Sequence, residues 1–477
     1  MSEETLKHDD GGERPESGPS PTATRRPSRA ERHAFGKSLR EKCARDLHGV
    51  WKAPAHRPDP VHLVEQANKG RVRGLVALRH GRMVQSPFTF YRGAVLNMAH
   101  DLASTPASGV RVQCCGDAHL LNFGGFATAE RNIIFAINDL DETLPAPWEW
   151  DLKRLAASFV IASRDNGLSE STAKDAVLTC VRSYREHMAD YSEMPSLDLW
   201  YQTLEAEVLI GSIPDPALRR RVIKHVEKER QRSTGEDLFP RLAVHTGTST
   251  VIRDERPIIF HPAGLRPGKI EARVSRAFAG YEDSLTPSQR ALFGHFELVD
   301  AAIKVVGVGS VGTRCWVLLL VDGAGEPLFL QVKEARPSVL EAYAGPSVYA
   351  NHGQRVVTGY RLMQPASDMF LGWTQGGKQH HYYVRQLRDV KVKPAVEGFD
   401  KAVMTLYANW CGHSLALSHA RSGDPSVISG YLGKSHEFDE AIAAFSFLYA
   451  DQNEADHAAF KRAIREGKLE AIEEEQR

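Results

Sequence analysis

Gly307-Val308-Gly309-Ser310-Val311-Gly312 runs directly into Thr313-Arg314-Cys315-Trp316-Val317-Leu318-Leu319-Leu320, and the second stretch decides how the first is read. A G-x-G-x-x-G loop serves a dinucleotide fold only where a helix opens at its last glycine, so that the pyrophosphate rests on the helix N-terminus. Here the residues past Gly312 are β-like, so the loop joins two strands. Working outward, Ala302 to Val306, Arg314 to Val321 and Leu328 to Lys333 read as strands, with Asp322-Gly323-Ala324-Gly325 as the second turn. The expectation is a small antiparallel sheet. Alternation in Phe329-Leu330-Gln331-Val332-Lys333 puts Lys333 on the face opposite Leu330 and Val332.

Upstream, two short β-like runs, Val110 to Cys115 and Asn132 to Ile137, each lead into a loop dense in Asp, Asn and Gly. The first, Cys115-Gly116-Asp117-Ala118-His119-Leu120-Leu121-Asn122-Phe123-Gly124, sets an aspartate five residues before an asparagine. The second is Ile137-Asn138-Asp139-Leu140-Asp141, and Asp151 follows twelve residues after Asp139. Leu152, Leu155, Ala156, Phe159 and Val160 then repeat at the spacing of one helical face. A second helix follows Ser169, with Glu170 in its first turn. Arg219, Arg220, Arg221, Lys224, His225, Lys228, Arg230 and Arg232 form a basic helix whose interleaved Glu227 and Glu229 mark a solvated face, and no function is assigned to it. A helix from Ser347 to Gln364, a strand from Tyr382 to Leu387 and a helix from Val403 to His419 precede a charged helical tail.

A glycine loop between antiparallel strands, with a lysine ending the third, resembles the protein-kinase arrangement. That resemblance implies that the loop at Gly307, Gly309, Ser310 and Gly312 covers nucleotide phosphates and that Lys333 neutralises them. The kinase pattern also asks for a glutamate on the following helix. This chain offers Gln354 there and Glu341 before it, which leaves the partner of Lys333 open. The Asp117 loop resembles the H-G-D-x-H-x-x-N loop of aminoglycoside phosphotransferases and related small-molecule kinases. By that likeness Asp117 is the catalytic base, Asn122 and Asp139 hold magnesium, and Asp151 braces the loop, with His119 in support. ATP and Mg2+ are the implied cofactors. Glycine loop and lysine follow the catalytic loop by about two hundred residues, whereas in a kinase they precede it, so a circular permutation is expected. The fold class is then α+β: a two-lobed, protein-kinase-like fold with a small antiparallel sheet lobe and a large helical lobe.

The implied organisation is a disordered tail at 1–30, an N-terminal helical extension at 31–103, a helical lobe with the catalytic and metal loops at 104–300, a sheet lobe at 301–390, and a helical return at 391–477. Long stretches are also similar to the uncharacterised bacterial family catalogued as domain of unknown function 2252: Ser86 to Gly93, Cys115 to Gly124, Asn138 to Arg154, Val306 to Ala335, and Tyr449-Ala450-Asp451-Gln452. The chain departs from that family's F-D-x-N-D-F-D-E run at Ala136 and Leu140.

Composition narrows the partners. Lys+Arg and Asp+Glu are both 60, so no global field draws the chain to nucleic acid or an anionic membrane. Cys43, Cys114, Cys115, Cys180, Cys315 and Cys411 show no C-x-x-C pair, which argues against a zinc knuckle or disulfide framework and fits a reducing cytoplasm. The acceptor is expected to be a small molecule sooner than a protein. Two other functions stay open: a nucleotide-binding pseudokinase, and a metal-dependent phosphoesterase built on the D-x-H of Asp117-Ala118-His119. For His119, Arg92 and the Lys153-Arg154 pair two readings stand side by side, a phosphate contact and a supporting hydrogen bond or surface ion pair, and none of them is assigned to catalysis or nucleotide binding.

Overall fold

The computed structural model describes residues 27–232, 242–246, 249–262, 277–387 and 391–473. The fold is α+β, a helical body with small antiparallel sheets. The largest sheet runs in the order Gly372–Gln375, His381–Gln386, Pro327–Ala335, Cys315–Asp322, Phe296–Lys304, Ile259–Phe260. Its central hairpin turns where the Asp322 carboxylate accepts the amides of Ala324 at 2.9 Å and Glu326 at 2.8 Å, with Gly325 at φ 86°, a conformation glycine adopts without steric cost.

Alternation sorts the two faces. Leu318, Leu320, Leu328, Leu330 and Val384 pack against Tyr281, Phe293 and Phe370 on one. Val317, Leu319 and Phe329 meet Leu242 and Ile252 on the other, the face that also carries Lys333. The sheet therefore recruits more chain than expected. Its strand begins at Phe296, six residues before Ala302, and the hairpin of Ala243–Thr246 and Ser249–Ile252 and the helix Pro287–Phe293 pack on it. The expected boundary at 300 fails because the register slips between Leu298 and Asp300, and a bulge breaks the two-residue period that marks a strand.

In the helical body, Trp148–Asp165 is buried on every side, so it is a core helix rather than a surface one. Glu170–Glu193 starts where Ser169 accepts the amide of Thr172 at 3.2 Å. It packs along Lys401–Ser422, where a Cβ on Gly412 would lie 2.1 Å from the carbonyl of Cys180; only glycine permits that approach. Glu437–Arg465 closes the body against Trp148–Asp165.

The N-terminal helices are part of this body rather than an appendage. Arg57 is buried between Asp101 at 2.7 Å and Asp456 at 2.6 Å, tying the extension to the last helix. Pro60 is the first residue of the helix Pro60–Asn68 and follows the cap Asp59. Of the expected tail, 1–26 lie outside the described residues, and Ser28 already caps a helix at Arg29–Ser38. The basic helix spans Pro216–Arg232. All six cysteines are free and buried, and among the described residues no helix is long and apolar enough to cross a membrane.

Candidate functional site

Strand Arg111–Cys114 delivers the chain to the Asp117 loop. Gly116, at φ 82°, turns so tightly that a Cβ would lie 2.4 Å from the carbonyl of Glu142. The turn is held from below: the Asp151 carboxylate accepts the amides of Cys115 at 2.5 Å and Gly116 at 2.9 Å. His419 reaches the same carboxylate at 3.2 Å and bonds Tyr184 at 2.9 Å through its other nitrogen. Cys114, Asp151 and His419 have ligand atoms within 4.8 Å of one another. Their polar atoms already serve this brace, with the Cys114 thiol directed at the carbonyls of Ala146 and Pro147.

Asp117 faces a buried guanidinium. Its carboxylate accepts from Arg154 Nε at 2.7 Å and Nη2 at 2.5 Å, and Arg154 also donates to the carbonyl of Tyr91 at 3.2 Å. Burial pushes the Asp117 carboxyl up to about 7, against the pull of Arg154. Lys153 is buried too and lies 3.3 Å from the carbonyl of Pro106, so the Lys153-Arg154 pair is not a surface ion pair. Asn122 donates its amide to the carbonyl of Asp117 at 2.7 Å, which turns its Oδ1 the other way. Tyr407 pins the loop by donating to the carbonyls of Leu120 and Phe123 at 2.8 and 2.9 Å.

The second loop is tied to the first, because the Asn138 amide donates to the carbonyl of Asn122 at 2.7 Å. The sheet contributes Lys333, whose ammonium stands 2.7 Å from Asp141 and 3.4 Å from Asp139. Tyr383, opposite Lys333 in register, donates to Asp141 at 2.6 Å. Enclosure by protein and the charge of Asp141 raise the Asp139 carboxyl above its usual range. Burial would raise Asp141 too, but Lys333 and Tyr383 hold it below. The two aspartate side chains remain 35% and 27% exposed, so the loop opens to solvent.

The partner of Lys333 is thus neither Gln354 nor Glu341. Glu341 takes the amide of Ser338 at 3.0 Å and faces His352 at 3.6 Å. The helix His352–Met363 instead supports the backbone of the second loop: Arg355 donates to the carbonyls of Asp141 at 2.9 Å and Thr143 at 2.6 Å, and Tyr360 to that of Asn138 at 3.1 Å. Asp141, Tyr383 and Arg355 are the site residues that sequence reasoning missed, and Arg154, singled out there with Lys153, proves to be the partner of Asp117. Asp141 alone carried a local signal, as a second acid two residues after Asp139. Ala136 lies in strand Ile133–Ile137 opposite Gly124, so no acid enters from that position.

The glycine loop is clamped from outside. Arg71 and Arg82 donate to the carbonyls of Val311 and Gly307, each at 2.6 Å, and the Val72 amide to that of Gly312 at 2.8 Å. Gly307 and Gly312 have φ 65° and 88°. Among the described residues the amides of Val308, Gly309 and Ser310 have no backbone acceptor. A Cβ on Gly309 would lie 3.0 Å from the carbonyl of Arg92, which places this loop beside the helix Pro87–Gly93.

Oxygen donors from Asn122 and Asp139 suit a hard divalent cation, and loop amides without a backbone acceptor suit phosphate. No curated protein and no solved structure matches the chain. The family profile that does match spans residues 71–463, most of the sequence and all of the site, and the chain belongs to that family, the uncharacterised proteins conserved in bacteria called domain of unknown function 2252.

Proposed function

We propose that the protein is a kinase-like phosphotransferase that moves the terminal phosphoryl group of Mg-ATP to an acceptor hydroxyl, with its lobes joined in permuted order. One observation carries the reading: Lys333, at the end of the strand after the glycine hairpin, meets Asp139 and Asp141 of a loop about two hundred residues away. A chain that carries a glycine loop, a strand lysine and a loop with two aspartates, and that brings the lysine to the aspartates, has parts that phosphoryl transfer uses.

Asp117 accepts the proton of the acceptor hydroxyl. The hydroxyl oxygen forms a bond to the terminal phosphorus as the bond to the bridging oxygen breaks, and ADP departs. A carboxyl near 7 is tuned for that task, and Arg154 fixes its orientation. Asn122 and Asp139 would hold magnesium, which neutralises phosphate charge when bound. Lys333 and the free glycine-loop amides take the phosphates, and Asp151 with His419 keeps the Asp117 loop in place. The reading carries with it a cytoplasmic location and a small-molecule acceptor.

A pseudokinase is the second reading. It is favoured by the tight pairing of Asp117 with Arg154 and by the absence of an acid at 136; it predicts nucleotide binding without turnover. The phosphoesterase gains no support, since Asp117 and His119 stand 3.9 Å apart and join no third ligand among the described residues.

A thermal-shift comparison of ATP, ADP and GTP, each with and without magnesium, tests the proposal. Ligand at about a hundred times its Kd adds roughly 2.7 kcal/mol of stability, so a magnesium-dependent rise in Tm is expected for at least one triphosphate. No shift with any nucleotide sinks the reading.

A further inference from the structure

Arg92 stands at a junction. Its neighbour Tyr91 holds Arg154 by its carbonyl at 3.2 Å, and Arg154 holds Asp117. Its own carbonyl lies 3.0 Å from where a Cβ of Gly309 would be. Arg92 is thereby placed between the candidate base and the phosphate-covering loop, on a helix of the N-terminal segment.

Its guanidinium is half-buried, and among the described residues its Nε has no partner and no side-chain hydrogen bond or ion pair satisfies it. The acids whose field it feels are Asp117, Glu397 and Asp139. His119, on whose charge Arg92 acts, is 4% exposed, and its Nδ1 is equally unpartnered among the described residues. Burial, then Arg92 and Arg154, keep that imidazole uncharged. A buried guanidinium nitrogen without an acceptor is costly unless a ligand satisfies it; a guanidinium is matched by an oxyanion, and an uncharged imidazole joins it as a donor only in the tautomer that carries its proton on Nδ1. Arg71 and Arg82, by contrast, are already committed to carbonyls of the glycine loop.

We propose that Arg92, with His119 in the tautomer that carries its proton on Nδ1, forms a phosphoryl-binding subsite between Asp117 and the glycine loop, distinct from the Lys333 position. The proposal deepens the phosphotransferase reading and rests on it for its placement. The shared chemistry is a phosphoryl dianion, from either the terminal phosphate of the nucleotide or a phosphate on the acceptor. The subsite also explains why the N-terminal segment is built into the body: it supplies a cation that neither loop carries.

The test is calorimetry on the full chain with Mg-ATP, Mg-ADP and inorganic phosphate, for wild type, Arg92→Gln and Arg92→Lys. Losing a charged hydrogen-bonding partner weakens binding by about tenfold to a hundredfold. If the terminal phosphate is the ligand, Arg92→Gln loses that factor for Mg-ATP and keeps Mg-ADP, and Arg92→Lys recovers part of it. If an acceptor phosphate is the ligand, both nucleotides bind the variant normally while inorganic phosphate binding falls. Equal binding of all three ligands by wild type and Arg92→Gln overturns the subsite and leaves the Lys333 site standing. Wild type that binds phosphate through Arg92 but no nucleotide upholds the subsite and sinks the nucleotide reading; wild type that binds none of the three sinks both. Melting curves identify a variant that fails to fold. In that case phosphate stabilisation of wild type, compared with His119→Gln, decides: a loss in His119→Gln supports the subsite, and equal stabilisation overturns it.

Discussion

Replacing Lys333 by methionine removes one charge from a place where two carboxylates converge. In the wild type the ammonium lies 2.7 Å from Asp141 and 3.4 Å from Asp139. After the change Asp141 keeps the Tyr383 hydroxyl at 2.6 Å, and both acids keep the field of Arg385. Breaking a buried ion pair by deleting one partner typically costs about 3–5 kcal/mol. Here the carboxylates are 27% and 35% exposed and one cation remains, so solvent screening moves the cost to about 3 kcal/mol or less. The sign with pH follows from linkage. Without the ammonium Asp139, already above the usual carboxylate range, rises further, and Asp141 loses the charge that held it below that range and rises with it, past the unfolded value of about 4. The variant then binds more protons folded than unfolded, so its deficit is small below about pH 4 and grows as pH rises through the folded values. Urea unfolding followed by circular dichroism at pH 4.5, 6 and 8 reads the effect, with Lys333→Met/Asp141→Asn predicted to recover part of the loss at pH 8. A deficit that is negligible at pH 8, or that does not change with pH, refutes the pairing on which the site is built.

Asp117→Asn is expected to bind Mg-ATP as wild type does and to lose about a hundred- to ten-thousand-fold in phosphoryl transfer or basal ATP hydrolysis; near-normal turnover excludes its role as base. With Asp117 pushed up to about 7, wild-type turnover should rise as pH increases through that value and level off above it, because the base acts deprotonated. Asp151→Asn leaves a backbone donor of Cys115 or Gly116 without its carboxylate oxygen and should cost about 1–3 kcal/mol, with faster hydrogen exchange at those two amides; unchanged exchange contradicts the bracing. Gly312→Val forces a branched side chain to φ 88° against Arg71 and should weaken Mg-ATP binding more than Gly323→Val, in an exposed turn with open space around it.

Much of this architecture was legible because it is local. The strand after Gly312, the turn at Asp322 and the helix after Ser169 follow from runs of a few residues, and the structure gives Cys315–Asp322, Pro327–Ala335 and Glu170–Glu193. Asp151 was legible as a brace only through the resemblance to the small-molecule kinases, and its carboxylate does hold the amides of Cys115 and Gly116. What failed was long-range or aperiodic. The partner of Lys333 was sought on the next helix, yet Asp141 reaches it from a strand-end loop 192 residues away in sequence, a contact that no periodicity encodes. Arg154 falls within an apolar helical pattern, and only the packing of Trp148–Asp165 beneath the loop turns it toward Asp117. Phe296 was lost to the bulge near Asp300. The burial of Arg57 between Asp101 and Asp456 joins segments at opposite ends of the chain.

The central claim is that Lys333 and Asp139 belong to one Mg-nucleotide site, and titration calorimetry of Mg-ATP into the full chain addresses it most directly. Wild type should bind with magnesium and not without it, and Lys333→Ala and Asp139→Asn, each shown to be folded, should each lose about tenfold or more in affinity. Unchanged Mg-ATP affinity in both variants, or no binding by wild type, contradicts the account.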